Sequence, residues 1–230
     1  MTKNIADQIK DYALKNGAKL VGIADSRLLD KKAPRGHRPQ DILSDAKSVI
    51  VVAVPQPRGI ISDSLPTEYT RCIYTAEIKL ELLTFDISNI IDEKGYKSIP
   101  IPVKMEYSMD VEKLMGDISH KHAAVYAGLG QIGKNSLLIT PEYGNRVYLA
   151  SIVTNAPMSY DIPFKKQFCD KECQKCIEAC PVRAIPKDGS ALIDKMKCYL
   201  YCKTQKERYP ITKGLYSCRE CRRVCPFSKV

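Results

Sequence analysis

No stretch of the 230-residue chain is apolar for long enough to serve as an export signal or to cross a bilayer. The first residues, MTKNIADQIKDYALKNG, are polar and amphipathic, and no twin-arginine signal occurs. Neither a membrane protein nor an exported one is expected, and the chain reads as cytoplasmic. Low-complexity segments are absent. So is any internal repeat outside the cysteine runs described below. No aromatic-interleaved basic stretch marks an RNA-binding face. One G-x-G-x-x-G is present, Gly128-Leu129-Gly130-Gln131-Ile132-Gly133, but it lacks the context of a dinucleotide fingerprint. A helix is expected before it and a strand after it, the reverse of what such a site requires, and residues 147–156 contain no acid. The glycines are read as places where backbone approaches a ligand or a neighbouring element closely.

What the chain has is cysteine. Nine of its ten cysteines lie between Cys169 and Cys225, in FCDKECQKCIEACPVRAI, MKCYLYCK and SCRECRRVCPF. A Cys-x2-Cys-x3-Cys-Pro run used twice is the pattern of proteins that hold two [4Fe-4S] clusters, in which the Cys before Pro ligates the other cluster. That crossing rule gives Cys169, Cys173, Cys176 and Cys225 to cluster I, and Cys180, Cys198, Cys218 and Cys221 to cluster II. Thiolates are soft, anionic donors suited to iron. Crossed ligands also knit two distant segments into a unit too small to bury much apolar core. Disulfides would suit a secreted chain, which this does not resemble. Zinc knuckles use paired Cys-x2-Cys, not triplets ending in Pro. The first gap, Cys169-x3-Cys173, is one residue longer than usual, and Cys202, four past Cys198, is the alternative ligand.

The charge is uneven. Residues 161–230 hold 16 Lys/Arg and 8 Asp/Glu, so most of the net +10 sits beside the cysteines. Part of that excess offsets thiolate charge, and part can attract an acidic electron donor or a nucleic acid. Periodicity predicts a first helix over residues 4–16, with Ile5, Ile9, Ala13 and Leu14 apolar and Gly17 as the stop. Strands are expected at Lys19–Ala24 and Ser48–Val54, the second ended by Pro55 and Pro57. A long helix is expected over Glu68–Glu93, with Ile73, Ile78, Leu80, Leu83, Ile87 and Ile91 inside. Cys72 on that helix reads as a packed hydrophobe. A strand follows at Tyr96–Pro102, then a helix over Ile118–Ala127 capped by Asp117, then strands at Ser136–Thr140 and Arg146–Thr154. A domain boundary is expected near Asn155–Pro163, dividing 1–160 from 161–230.

HAAVYAGLGQIGKNSLLITPEYGNRVYLASIVTNAP, followed by FC…CxxCxxxCP and a late CxxCxxxCP, resembles epoxyqueuosine reductases and, more distantly, reductive dehalogenases. The resemblance implies an α+β fold: a nitroreductase-like domain holding cobalamin, followed by a ferredoxin-like domain with two [4Fe-4S] clusters. The clusters would pass single electrons to the cobalt for reductive chemistry. On matching positions, Gly128, Gly130, Gly133, Lys134 and Asn135 would line the corrinoid. These families place a catalytic Asp upstream of AGLG. Here Leu114 stands at that position, so the proton donor would be rebuilt from Asp117, His120 or His122, since histidine titrates near neutrality. The chain ends soon after the last Cys-Pro, where epoxyqueuosine reductases continue into a segment used for tRNA, so the resemblance alone does not carry a tRNA substrate over. A low-potential donor such as ferredoxin or flavodoxin is the expected partner. Two alternatives accompany this reading: an electron-transfer protein that reduces a partner, such as a corrinoid protein, without a substrate of its own, and an FMN-linked reductase.

Overall fold

The computed structural model describes residues 4–103, 109–110, 114–188, 193–208 and 217–229. The chain divides into two compact units, each assembled from three separated segments. The first comprises residues 1–54, 77–130 and 148–165. The second comprises residues 55–76, 131–147 and 166–230. A boundary drawn once, at the start of the cysteine region, captures the last of these crossings. The two earlier excursions into the second unit carry no compositional mark.

The first unit is built on a four-stranded sheet. Its strands are β1 (Leu20–Asp25), β2 (Ser48–Pro55), β3 (Ser98–Ile101) and β8 (Val147–Thr154), in the order β1-β2-β8-β3. β1 runs antiparallel to β2, with Leu20 opposite Ala53 and Asp25 opposite Ser48. β3 runs antiparallel to β8, with Ser98 opposite Thr154. β2 is buried from Ser48 to Val54. A strand covered on both faces reads as a continuous apolar run, which is why SVIVVAV is recognisable in the sequence. Helix α1 (Ile5–Lys15) is capped by Asn4, whose side chain accepts from the Asp7 amide at 2.9 Å, and it buries Ala6, Ile9 and Ala13. Leu14 is exposed instead. Two short helices, α2 (Ser26–Asp30) and α3 (Pro39–Ile42), occupy the loop-rich stretch before β2.

Helix α5 (Pro66–Asp92) follows the short α4 (Arg58–Ser62) and gives Glu77 onward to the first unit. Leu80, Leu83, Ile87 and Ile91 are buried at a three-to-four residue spacing. Ile78 is 54% exposed, contrary to expectation. Residues two apart lie on nearly opposite sides of a helix, so Ile78 cannot share a face with Leu80. Helix α6 (His120–Tyr126) starts later than expected and is capped by Ser119, which accepts from the His122 amide, not by Asp117. Residues 155–165 are stitched to the sheet and do not hang as a linker. The Asp161 carboxylate accepts from Lys10 Nζ at 2.6 Å and from the Ile23 amide at 2.8 Å, and the Asp161 amide donates to the Ile23 carbonyl. No helix among the described residues is long and apolar enough to cross a membrane.

The second unit contains a small hairpin, β6 (Gln131–Ile132) with β7 (Leu138–Ile139). The strand expected at Ser136–Thr140 is this short because Ser136 takes φ +57° in the hairpin turn. Besides Cys72 on α5, cysteines lie on three helices of this unit, α7 (Lys175–Glu178), α8 (Lys195–Arg208) and α9 (Glu220–Arg223). A further two-residue pair, β4 (Met109–Asp110) with β5 (Met115–Gly116), belongs to the first unit.

Candidate metal centre

The two Cys-Pro runs fold alike. Each makes a single helical turn around its middle cysteine, α7 around Cys176 and α9 around Cys221. The residues that open the turns, Gln174 and Arg219, have φ/ψ of −115°/3° and −128°/5°, and those that close them, Ala179 and Val224, have −76°/−9° and −82°/−10°. The repeat seen in the spelling is thus a repeat in the backbone.

Cys169, Cys173 and Cys176 of the first run line one cavity together with Cys225 of the second. Its volume is about 330 Å³, and Lys134, Asn135, Phe168 and Phe227 complete much of the wall. The longer first gap is absorbed by a turn over Asp170, where the Cys173 amide donates to the Asp170 carbonyl at 3.3 Å and the Glu172 amide to the Asp170 side chain at 2.8 Å. Cys169 therefore reaches the cavity despite the extra residue. Among the described residues, no three His, Cys, Asp or Glu are set to hold a single metal ion. The thiols surround a volume instead.

A second group forms around Cys198 on α8. Burial pushes the Cys221 thiol up to about 12, with Cys218, Cys176 and Cys180 adding to the rise and Arg222 opposing it. Burial likewise raises Cys218 to about 11, with Cys202 and Cys180 among its charged neighbours. A hydrogen bond with Cys202, then burial, raises Cys198 further. Cys180 and Cys221 both pack against the small core of Cys176, Ile177 and Ile185. Cys202 is a fifth thiol in the group. In the first cavity burial raises Cys176 to about 11, followed by the neighbouring Cys169, Cys225 and Cys173, and burial raises Cys225 too. Burial thus disfavours the thiolate form in both groups.

The polar residues of the GLGQIGKN segment act on the backbone that carries these cysteines. Gln131 Oε1 accepts from the amides of Phe168 at 2.5 Å and Cys169 at 3.3 Å. Lys134 Nζ donates to the carbonyls of Lys171 and, at 2.9 Å, Cys173. Asn135, 4% exposed, donates through Nδ2 to the Cys221 carbonyl at 3.1 Å and accepts from the Leu137 amide at 3.2 Å. Gly133 leaves room for Ile139, whose Cδ1 would lie 2.9 Å from a Cβ there. Gly128, in the first unit, has φ +78°, and a Cβ on it would meet the Ile162 carbonyl at 2.7 Å. Gly130 is buried. Each residue assigned to a corrinoid thus has an internal packing or bonding role, except Gly130, of which only burial is described.

Sequence reasoning missed several supports. Gln131 was legible only as a motif spacer. Arg222, 6% exposed, donates to Gln56 Oε1 at 2.9 Å, and the equally buried Arg146 donates to the Gln56 carbonyl at 2.5 Å. Asn145 Nδ2 donates to the Arg222 carbonyl at 3.4 Å. Arg219 bonds Ser64 and stands 5.4 Å over the Tyr69 ring. Arg219 and Arg222 entered the sequence reading only through the charge of residues 161–230, and Gln56, Asn145 and Arg146 carried no signal.

The candidate proton donors do not form a cluster of free acids. His120 is half-buried, with Nδ1 2.9 Å from Ser151 Oγ and Nε2 3.3 Å from the Pro102 carbonyl. Desolvation pushes it down to about 4, against the raising effect of the Pro102 carbonyl. It is neutral at pH 7, with Nε2–H donating and Nδ1 accepting. His122 is exposed, with Nδ1 2.7 Å from Ser119 Oγ. Asp117 is half-buried. Leu114 is 7% exposed at φ +48°, an uncommon conformation for a bulky residue.

No domain-family profile matches the chain. Its fold is that of solved reductases. Over 98% of its length it aligns with an epoxyqueuosine reductase solved with a tRNA-Tyr epoxyqueuosine-modified stem loop, at TM-score 0.67 and 23% identity, covering 66% of that chain. Over 96% of its length it aligns with a reductive dehalogenase whose structure suggests a mechanism for B12-dependent dehalogenation, at TM-score 0.66 and 21% identity, covering 31% of that chain. In sequence it is 30% identical over 201 residues to the epoxyqueuosine reductase of Bacillus anthracis, which spans 83% of this chain and 50% of that one. The chain covers about half the length of such curated relatives. It is epoxyqueuosine reductase-like in sequence, and it shares its fold with both groups.

Proposed function

We propose that the chain is an iron–sulfur oxidoreductase with two [4Fe-4S] clusters, one held by Cys169, Cys173, Cys176 and Cys225, the other by Cys180, Cys198, Cys218 and Cys221. What supports this is that Cys225 of the second run lines the cavity of Cys169, Cys173 and Cys176 of the first, and that Cys180 is among the neighbours of both Cys218 and Cys221. The donor set is all thiol, as iron–sulfur ligation requires. In this reading the second unit is a ferredoxin-like cluster domain and the first a nitroreductase-like domain. Bound clusters supply one-electron transfer. The chain's own residues fix the cysteine backbone through Gln131, Lys134 and Asn135, and place Arg222 to offset thiolate charge.

A cobalamin, if held as the likeness to the relatives suggests, would take the electrons for an epoxyqueuosine reductase-like reduction. Of the residues matched to a corrinoid, Gly128, Gly133, Lys134 and Asn135 are engaged within the protein. Asp117 and His122 are the proton-donor candidates, since His120 is neutral and bonded at both nitrogens. A second reading is favoured by the same engagement of Lys134 and Asn135: an electron-transfer protein that reduces a partner.

Anaerobic reconstitution tests the proposal. Iron and sulfide near eight per chain are expected, and about four would leave one cluster only. Cys225→Ser and Cys180→Ser should each perturb a different cluster by electron paramagnetic resonance. Identical spectral losses would contradict the crossing. Cobalamin and FMN are then added separately. A corrinoid spectrum that changes on cluster reduction supports the reductase, and binding of neither leaves the electron-transfer reading.

A further inference from the structure

Helix α8 turns Cys198, Tyr201, Cys202 and Gln205 inward, and each is half-buried. Its other side is open. Met196, Tyr199 and Leu200 are 42%, 47% and 48% exposed, and Lys195, Lys197 and Lys203 are exposed around them. The helix sequence KMKCYLYCKTQKER carries five basic residues and one acid, Glu207. Lys197 pairs with Asp194 at 3.4 Å, an exposed contact that leaves the face positive. A patch with an apolar centre and a basic rim is the anatomy of a protein-docking site. It lies on the helix that carries Cys198, so a partner seated there is brought to the second thiol group and not to the first.

We infer that the outer face of α8 docks an acidic one-electron carrier protein, and that electrons enter the chain there. The inference rests on the cluster assignment proposed above. Charge selects the carrier: an acidic protein complements Lys195 and Lys203, and exposed charges of opposite sign raise encounter rates more than affinity. The apolar centre favours a protein over a nucleic acid, whose backbone would need cations where Met196 and Leu200 stand. In the step, one electron leaves the reduced carrier, which is oxidised. The cluster held by Cys180, Cys198, Cys218 and Cys221 is reduced by one. No bond is made or broken.

The test uses the full chain with clusters reconstituted, and a reduced low-potential flavodoxin as the carrier probe. Cluster reduction is followed by stopped-flow absorbance, with dithionite as a small-molecule control. Lys203→Glu combined with Lys195→Glu should slow reduction by flavodoxin about tenfold at low salt, with that difference shrinking as salt rises. Leu200→Ser should slow it without changing the salt dependence. Dithionite rates and cluster spectra should stay unchanged in all variants. Flavodoxin rates equal to wild type in both variants overturn the inference while leaving the cluster assignment intact. A wild type that assembles no cluster at the second site removes the cluster assignment and the inference together. Binding of a tRNA stem loop that Lys203→Glu abolishes, with carrier rates unchanged, gives the face to RNA and also overturns it.

Discussion

Asn135→Ala separates two roles for the glycine-loop segment. The side chain is 4% exposed and ties the Cys221 carbonyl to the Leu137 amide, at 3.1 and 3.2 Å. Alanine removes both bonds and supplies no replacement. Each backbone group left without its partner costs about 1 kcal/mol or somewhat more, so the total is about 2 kcal/mol. That is roughly a thirtyfold gain in the population of the loosened cysteine segment. The assay is the rate of iron release to a ferrous chelator from the anaerobic, cluster-loaded protein, which follows local opening of the backbone. Release should quicken by roughly that factor at the proposed site of Cys221, while the cavity lined by Cys169 and Cys225 responds less. Cobalamin titration of the same variant supplies the contrast. Wild-type iron release together with lost cobalamin binding would refute the holding role and return Asn135 to the corrinoid.

Two further outcomes follow from backbone and burial. Below pH 6.5 the unfolded chain takes up a proton at His120 that the folded chain refuses until about pH 4, so stability is flat above that window and falls as pH drops through it. The loss reaches no more than about 3 kcal/mol, and urea unfolding at pH 7, 6 and 5 should show a shallower decline in His120→Gln; equal slopes would contradict it. Gly144 has φ +54°, and the Phe227 carbonyl occupies the place a Cβ would take, whereas Gly95 has φ +80° and nothing within 4 Å. Gly144→Ala should lower the melting temperature clearly more than Gly95→Ala, whose cost is the left-handed strain of about 1–2 kcal/mol alone; equal shifts would mean that the approach of Phe227 carries no weight.

The sequence was most legible where one periodicity or one chemistry dominates. SVIVVAV announces β2 because both faces are covered. The Cys-Pro spelling announces its own backbone repeat, because the same spacing folds into the same single turn in both runs. Ile78 was misplaced because an apolar residue on a long helix looks the same inside or out until its angular position is counted. The cap of α6 fell to Ser119, since only the residue directly before the helix can reach its first amides. Least legible were Gln131, Gln56 and Arg222. Their partners are distant carbonyls and amides, and no local pattern encodes a long-range hydrogen bond. The two excursions of the chain into the second unit were hidden for the same reason.

The cavity bounded by Cys169, Cys173 and Cys176 lacks its fourth thiol until Cys225 has been made. On a ribosome, the first run emerges well before the second and finds no site to complete. Three thiols in the open are a target for oxidation and for stray metal. On the proposed assignment, the first site is complete only at the end of this region's synthesis, and a chain truncated before Cys225 lacks a ligand of that site and, with Cys218 and Cys221 also late, closes neither site early.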